Sequence, residues 1–454
     1  MKIVVLSGSP KGEASNTFQY LRCIQKQLPT HRYSVIHITA QIQKIQDDSK
    51  RFDQIVAEVK KADAVIWVYP ITYFLVPAGL KRFIEMIFEK KASGAFAGKY
   101  ATAVTTSMHL FDHTSLAYIH GISEDLGMQY VPGYSAQFND ILEEEQKRQL
   151  LLFAEEFFMT VGRKLPVESV YPRVNAKVPS YHPAQTDLAR KTDSFKILFL
   201  TDETSRDKNL GYMTDVFLRH LPNLVEFINI NDIRLAPCKN CLACTYDGVC
   251  VIDDDMNFIY QKRILPADAI IYAGSVRDRY LSARWKVFFD RFFLNGHRPV
   301  LTGKQGGFII SGPLRQLPNL RQLFTCFAEA FGLNSWGFVT DEYPDPARIT
   351  GLLQTLSLSV MEGLQHGVRR PPSFLGVGGK KILRDINFFT RFIFTENHRY
   401  YTKHGLFEFP HSQRMMRIMG RIIPPLMRID GFKKKFQAGM NEKMLAPLRK
   451  AAEQ

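Results

Sequence analysis

The sequence predicts an α/β protein made of two doubly wound parallel sheets in tandem, followed by a basic helical C-terminal tail. Three observations support this prediction. Short apolar runs alternate with helical patterns, the alternation starts again at Phe195, and the last part of the chain has a large surplus of basic residues. We expect a first domain over residues 1–165, a linker over 166–194, a second domain over 195–370 and the tail over 371–454.

Five short apolar segments of the first domain are predicted β-strands, because each is bounded by a helical pattern as in βαβ units. They span residues 2–6, 34–38, 64–69, 101–106 and 129–134. A last helix is predicted over 142–163. In such sheets ligands bind beyond the carboxyl ends of the strands. The loops 7–11, 70–74 and 105–109 are therefore predicted to line one cleft.

The first of these loops has the composition of a phosphate-binding loop. Small and hydroxyl residues from Ser7 to Ser9 lead into a helical pattern that begins near Asn16 and Thr17. The N–H groups and the positive dipole end of a helix N-terminus attract phosphate. Many strand-to-helix turns also use Gly and Ser, so this loop alone is a weak signal.

The predicted second domain repeats the first in register. Proline-rich, polar residues typical of a linker separate the two. Beyond it, residues 267–271 resemble residues 62–66, and residues 283–290 resemble residues 78–85. The two segments lie the same distance apart in each copy, which indicates a tandem duplication.

Four of the six cysteines fall within thirteen residues of the second copy, spaced C-x2-C-x2-C-x5-C. They are Cys238, Cys241, Cys244 and Cys250. The tight C-x2-C-x2-C run is typical of [4Fe–4S] ligation by thiolates. Zinc is an alternative, although structural zinc sites usually separate two C-x2-C pairs by a dozen or more residues. Plain thiols or a disulfide are the third interpretation.

The composition is that of an ordinary globular protein, with 45% apolar and 23% charged residues. The apolar run at the N-terminus is too short for a signal peptide. The longest apolar stretch, residues 64–80, is interrupted by Pro70 and Pro77. We therefore expect a cytoplasmic protein, and clustered thiols agree with a reducing compartment.

The basic character is concentrated in the tail. The net charge is +15, and residues 371–454 hold 16 Lys+Arg against 6 Asp+Glu. Residues 376–379 are predicted to be a flexible break, and residues 414–423 alternate charge and bulk at helical spacing. Such a segment can lie on an anionic membrane surface or meet an acidic protein partner. The tail could equally pack across both domains with its basic face in solvent. The chain could also form a homo-oligomer. No nucleic-acid-binding motif is present.

Two segments of the first copy resemble the NAD(P)H-dependent FMN reductases, which are flavodoxin-like. Gly8-Ser9-Pro10-Lys11 followed by Ser15-Asn16-Thr17 resembles their GSPR…GNT phosphate loop, with Lys11 in place of the usual Arg. Residues 70–81 resemble the segment that flanks their flavin ring. The resemblance implies FMN as cofactor and NAD(P)H as electron donor. The third loop lacks the family's glycines. The cofactor-binding residues that we assign are Ser9, Pro10, Lys11, Asn16, Thr17, Pro70, Ile71, Thr72, Tyr73, Phe74, Thr106 and Ser107.

The cysteine segment, residues 236–256, resembles the iron–sulfur flavoproteins of the same superfamily, which implies one [4Fe–4S] cluster held by the four cysteines. We expect an iron–sulfur flavoprotein oxidoreductase with FMN in the first half and the cluster in the second, close enough to exchange electrons. No residue is assigned as a catalyst. The alternatives are an electron carrier that serves a protein partner, and a zinc-stapled scaffold whose cofactor sites have decayed.

The second copy lacks the phosphate-loop pattern. Asp202 and Glu203 stand where the first copy has small residues, and carboxylates repel phosphate, so we expect no FMN phosphate there. Arg277, Arg279 and Arg284 could instead hold an anionic substrate or nicotinamide phosphates, or lie in solvent as ordinary surface residues.

Overall fold

The first domain is a parallel sheet with helices packed on it. The structure is a computed structural model and describes residues 1–183, 195–221, 225–410 and 414–452. The elements of the first domain are β1 Lys2–Ser7, α1 Asn16–Gln27, β2 Arg32–His37, α2 Ile42–Asp47, α3 Ser49–Lys60, β3 Ala64–Pro70, α4 Ala78–Glu89, β4 Tyr100–Thr106, α5 Asp112–Asp125, β5 Gln129–Tyr130, β6 Tyr134–Ala136 and α6 Glu144–Arg163.

The first sheet has the order β2–β1–β3–β4–β5, with β6 also paired to β4, and every pairing is parallel. This is the flavodoxin-like order of a doubly wound fold. The central strands β3 and β4 are buried along almost their whole length, as expected for strands covered on both faces. The last predicted strand is split into β5 and β6, because Pro132 between them has no N–H to give to the ladder.

The second domain has the same topology. Its parallel sheet has the order β8–β7–β9–β10–β11, so both predicted doubly wound sheets are confirmed. Its elements are β7 Ile197–Thr201, α7 Asn209–Arg219, β8 Val225–Asn229, α8 Cys244–Asp247, α9 Met256–Ile259, β9 Ala269–Ser275, α10 Ala283–Arg291, β10 Gln305–Ser311, α11 Pro318–Phe331, β11 Asn334–Thr340 and α12 Pro346–His366.

The two domains pack through equivalent helices, α4 and α10. The carboxylate of Asp290 accepts the N–H of Ala78 at the start of α4, at 2.8 Å. The carboxylate of Glu85 accepts the N–H of Ala283 at the start of α10, at 2.6 Å. Each helix N-terminus is therefore capped by an acid of the other domain. Equivalent residues lie 205 positions apart, so the contact has pseudo-twofold symmetry.

Two buried lysines follow the same symmetry. Lys81 Nζ donates to the carbonyl of Arg277 at 3.0 Å and forms an ion pair with Glu85. Its equivalent, Lys286, donates to the carbonyl of Thr72 at 2.8 Å and forms an ion pair with Asp290. Both lysine side chains are fully buried. Thr72 belongs to the predicted flavin loop, so the second domain directly supports that loop.

The described part of the predicted linker has no helix or strand and is anchored to both domains. The N–H of Tyr171 donates to the carboxylate of Glu124 in the first domain, at 2.6 Å. The hydroxyl of Tyr181, which is fully buried, lies 2.8 Å from that of Thr350 in the second domain. Residues 184–194 of this linker lie outside the described residues.

The C-terminal region is helical. Its elements are α13 Phe374–Phe389, α14 Thr395–Lys403, α15 Arg414–Leu426 and α16 Asp430–Ala452. The flexible break predicted at residues 376–379 is wrong, because these residues lie inside α13. Ser373 caps this helix by accepting the N–H of Gly376, and α13 packs on α11.

The chain divides into two compact units, Met1–His398 and Arg399–Gln454. The first unit contains both sheets and α13. The second contains α15 and α16, and Pro424 and Pro425 lie in the last turn of α15. Among the described residues, no helix combines the length and the apolar character that crossing a membrane requires.

Candidate functional site

The predicted phosphate loop joins β1 to α1 and carries buried hydroxyl groups. Ser9, Ser15 and Thr17 are all buried. The hydroxyl of Ser9 accepts the N–H of Lys11 at 3.2 Å, and that of Thr17 lies 2.5 Å from the hydroxyl of Thr106. The side chain of Ser15, at the N-cap of α1, does not cap the helix. The N-terminus of a helix and a neighbouring lysine together favour an anion.

The second loop follows β3 and reaches into the second domain. Its backbone turns sharply, with positive φ at Tyr73 and Phe74. The hydroxyl of Tyr73 donates to the carbonyl of Phe292 and lies 3.2 Å from that of Gly296. The ring of Tyr73 stacks on Phe331 with centroids 5.5 Å apart. The domain interface therefore fixes the position of this aromatic side chain.

The third loop follows β4. The N–H of Ser107 donates to the carbonyl of Ala136, and its hydroxyl accepts the N–H of His109 at 2.9 Å. The ring of His109 lies 2.8 Å from the carboxylate of Asp112. Thr106 is buried at the end of the strand, so this loop also presents hydroxyl groups at the carboxyl edge of the sheet.

The three loops line one cavity of about 460 Å³. Eleven of the twelve residues predicted to bind the cofactor lie on its wall. The exception is Pro10, which does not line the cavity. The volume is in the range of small-molecule binding sites. The remaining wall comes from residues that were not assigned to the cofactor: Ser15, Met108, Leu110, Phe138, Asn139, Asn240, Leu242, Phe293, Gly296, His297, Ala330, Phe331, Leu383, Thr390, Phe392, Ile393 and Phe394.

His297 is a buried member of this wall. Burial lowers its pKa to about 4, and its hydrogen bond with Asn387 works in the opposite direction. The ring nitrogen Nδ1 lies 3.2 Å from the side-chain oxygen of Asn387 on α13. The imidazole is therefore neutral at physiological pH, and the C-terminal region holds its orientation.

The four predicted metal ligands line a second, smaller cavity. Cys238, Cys241, Cys244 and Cys250 all contribute to its wall. All four are free thiols. The intervening chain turns tightly, with positive φ at Asn240 and Leu242. In the part of the chain that the structure describes, no group of three or more His, Cys, Asp or Glu side chains is arranged to hold a metal ion.

The thiols are affected both by burial and by nearby charged side chains. Burial raises the pKa of the Cys238 thiol to about 12. Burial also raises that of Cys244 to about 12, and the other three cysteines add to this rise. The guanidinium of Arg291 lies 3.3 Å from the sulfur of Cys250 and forms an ion pair with Asp254. Arg291 is almost completely buried, so its charge acts at short range on the thiols.

The two cavities adjoin each other. Leu242 and Phe293 line both of them. The side chain of Asn240, between the first two cysteines, lies 3.5 Å from the hydroxyl of Thr72 in the flavin loop. The loop 238–250 therefore faces the cleft of the first domain across the domain interface.

Comparison with known protein families shows which family the chain belongs to. The model of the NADPH-dependent FMN reductase family matches residues 1–140 and, a second time, residues 195–344. Together the two matches span more than half of the chain. This chain belongs to the NADPH-dependent FMN reductase family.

Curated relatives of this FMN reductase-family chain include two archaeal proteins named iron–sulfur flavoprotein. That of Archaeoglobus fulgidus is 36% identical over 105 residues, which are 22% of this chain and 47% of that protein. That of Methanosarcina thermophila is 46% identical over 69 residues, which are 15% of this chain and 36% of that protein. The chain thus spans less than half the length of each of these relatives.

Solved structures of similar proteins match one part of the chain. The apo form of an NADH:FMN oxidoreductase, EmoB, has 20% identity and a TM-score of 0.30, and the match covers 35% of this chain and 89% of that one. An FMN-dependent NADH-azoreductase from Bacillus anthracis has 14% identity and a TM-score of 0.28, with 36% and 99% covered.

In the second copy, a side chain of the protein itself occupies the loop that corresponds to the phosphate loop of the first copy. The carboxylate of Glu203 accepts the N–H groups of Thr204 and Ser205 at 3.0 and 2.9 Å. By the strand register Glu203 is the equivalent of Ser9. The hydroxyl of Ser282 donates to Asp202, whose pKa is raised by burial. An internal carboxylate thus takes the N–H groups that a phosphate could use.

Two arginines considered for anion binding have structural contacts instead. Arg279 forms a bidentate ion pair with Asp125 of the first domain, at 2.5 and 2.7 Å. Arg284 donates to three backbone carbonyls of the segment that leads to the cysteines, those of Ile230, Ile233 and Leu235. The proposal that these two arginines hold a substrate is therefore corrected: they stabilise the domain interface and the cysteine loop.

Proposed function

We propose that this chain is an FMN-dependent NAD(P)H oxidoreductase that carries a [4Fe–4S] cluster beside its flavin. One observation carries the proposal: the cavity lined by the predicted flavin loops and the cavity lined by the four cysteines share Leu242 and Phe293. Family membership supports FMN, and the names of the archaeal relatives support an iron–sulfur cluster.

The residues at one end of the larger cavity suit the FMN phosphate. Ser9, Ser15 and Thr17 supply hydroxyl groups, Lys11 supplies a positive charge, and α1 begins directly behind them at Asn16. These groups can donate several hydrogen bonds to phosphate oxygens while the helix dipole stabilises the negative charge.

The other end of the cavity suits a flat aromatic ring. Tyr73, Phe74, Phe293 and Phe331 contribute rings to the wall, and the Tyr73 ring is fixed by its hydroxyl contacts in the second domain. Aromatic walls stack on a planar ligand and exclude water from it. When bound, FMN supplies the hydride and electron chemistry, and the protein orients it.

The cysteine loop suits a cubane cluster. Each iron of a [4Fe–4S] cluster takes one thiolate, and the four cysteines line one small cavity, although among the described residues their side chains do not stand at metal-binding distances from one another. The N–H of Asn240 lies 3.4 Å from the sulfur of Cys238, and Arg291 lies beside Cys250. These donors would stabilise negative charge on the sulfurs, which raises the reduction potential of a cluster.

The phosphate assignment can be tested by comparing FMN with riboflavin, which lacks the phosphate. Lys11→Ala should raise the dissociation constant of FMN about tenfold or more and leave that of riboflavin unchanged, because only FMN carries the charge that Lys11 pairs with. Lys208→Ala, which removes an exposed lysine from the corresponding loop of the second copy, is the matched control. Equal losses for FMN and riboflavin would contradict the assignment.

The activity can be tested by anaerobic kinetics. The proposal expects steady-state oxidation of NADH or NADPH with a quinone or free flavin as acceptor. Turnover that requires an added protein acceptor would favour the electron-carrier alternative instead. Absence of turnover in protein that contains both iron and flavin would contradict the oxidoreductase proposal.

A further inference from the structure

The outward face of helix α13 exposes more large apolar side chains than the surface of an ordinary globular domain does. At about 100° per residue, Phe374, Val377, Lys381 and Phe388 lie within a narrow arc on one side. Phe389 lies at the edge of this arc, and Phe392 follows the helix end. We call these six residues the aromatic patch.

The opposite face of α13 is already occupied by protein. Gly376 approaches Glu329 of the second domain, and Gly379 approaches Phe111 of the first, both so closely that a Cβ atom would collide. Leu383 is buried in the cavity wall, and Asn387 contacts His297. Packing therefore fixes the helix rigidly with its aromatic patch pointing away from the core.

The exposure of the patch is large. The side chain of Phe374 is 88% exposed, that of Phe392 is 78% and that of Phe389 is 72%. Three largely exposed rings on and directly after one helix, spread over the roughly 22 Å from its first residue to its last, indicate a docking surface.

The charges around the patch indicate what covers it. Lys380, Lys381 and Arg391 are exposed beside the phenylalanines, and Asp385, the one acidic residue of α13, is paired with Arg384. The second compact unit has the same chemistry, because its helix α15 exposes Met415, Ile418, Met419 and Ile422 on a strongly basic segment. Aromatic rings flanked by lysine and arginine suit the boundary between acyl chains and anionic headgroups.

We propose that the aromatic patch docks on an anionic lipid bilayer. Phe392 also lines the 460 Å³ cavity, as does the neighbouring Ile393. Docking through the patch therefore brings the rim of that cavity to the lipid surface. This inference concerns attachment and does not require that the cavity holds FMN.

Vesicle sedimentation tests the proposal with the full-length protein. Vesicles of 70% phosphatidylcholine and 30% phosphatidylglycerol should pellet the protein, and vesicles of phosphatidylcholine alone should pellet much less of it. The variant Phe374→Ser/Phe389→Ser/Phe392→Ser should partition at least about tenfold more weakly into the anionic vesicles, because three insertable rings are removed.

The control variant Phe258→Ser/Leu358→Ser removes two exposed apolar side chains from α9 and α12, and it should bind vesicles like the unchanged protein. Circular dichroism checks that both variants are folded.

Binding of the aromatic variant at full strength, or no binding of the unchanged protein at low salt, would overturn the proposal. A dimer of the unchanged protein that the aromatic variant converts to monomer would assign the patch to a second copy and also overturn it. Iron and flavin contents of the unchanged protein report separately on the proposed function.

Discussion

At the scale of residues, Asp278 and His297 have shifted pKa values that change the stability of the fold in opposite directions as the pH rises. Burial raises the pKa of Asp278 to about 6; Lys81 lowers this value and Glu85 and Glu89 raise it. The folded protein therefore holds the Asp278 proton more tightly than the unfolded chain does. The resulting stabilisation is complete below about pH 4 and is lost as the pH rises through 6. The lowered pKa of His297 acts in the opposite direction. The stability that the neutral His297 ring contributes is present above about pH 6.5 and is lost as the pH falls to about 4.

The variant Asp278→Asn separates the two effects. Asn has a similar shape and accepts the positive φ of this position, but it does not titrate. Relative to the unchanged protein, the variant should gain about 2 kcal/mol of unfolding free energy between pH 4.5 and pH 7, because only the unchanged protein loses a bound proton in that window. Urea unfolding at the two pH values measures this difference. Identical pH dependence in both proteins would contradict the raised pKa.

The candidate site was predictable at the residue scale where a local motif marks it. The strand pattern predicted that the loops after β1, β3 and β4 line one cleft, and the resemblance to the FMN reductases selected the individual residues, eleven of which line one cavity. Pro10 does not line this cavity, and a loop motif does not tell which of its side chains point inward. Phe293 and Leu383 could not be predicted, because they reach the cavity through domain packing and lie in no motif.

At the scale of elements, α13 shows how glycines can serve packing instead of flexibility. The sequence pattern of residues 376–379 suggested a break, yet the helix continues and two of its glycines allow close contact with neighbouring side chains. A cluster of glycines is ambiguous in sequence, because the same residue that loosens a chain also removes the side chain that would keep two surfaces apart.

Neighbouring glycines of α13 supply a matched pair of variants. A Cβ at Gly379 would lie 2.5 Å from the Phe111 ring, whereas a Cβ at Gly378 meets nothing within 4 Å. Phe111 is itself packed against Phe74, so it cannot easily give way. Gly379→Ala should destabilise the protein by roughly 1–3 kcal/mol, and Gly378→Ala should stabilise it by up to about 1 kcal/mol through helix propensity. Thermal unfolding of the two variants measures both signs, and stabilisation by both would contradict the close contact.

At the scale of the whole molecule, duplication has produced a covalent pair with pseudo-twofold symmetry. The repeat was visible in the sequence at residues 62–66 and 78–85, whose counterparts both lie 205 positions further along the chain. The way in which the copies pack was not visible, because it depends on acids and lysines that look like ordinary helix residues. Only the structure shows that Lys81 and Lys286 are buried and that each supports a loop of the other copy.

The symmetric interface predicts a strong effect of Asp290→Asn. Lys286 would lose its charged partner inside the protein, which typically costs about 3–5 kcal/mol, and Ala78 would lose the charged cap of its N–H group. Flavin binding should weaken as well, since Lys286 holds the Thr72 carbonyl. Urea unfolding and flavin titration measure the two effects. Glu58→Gln, which removes an ion pair with the exposed Lys61, is the control and should change little. A similarly small effect of Asp290→Asn would show that the buried pair does not maintain the interface.

We propose that a flavin and an iron–sulfur cluster occupy the two adjoining cavities of this chain. Chemical analysis of anaerobically purified protein tests it most directly. The account predicts one FMN, four iron and four sulfide per chain, with iron lost in Cys238→Ala and retained in Cys23→Ala. Zinc without iron, or protein that binds neither flavin nor iron, would contradict it.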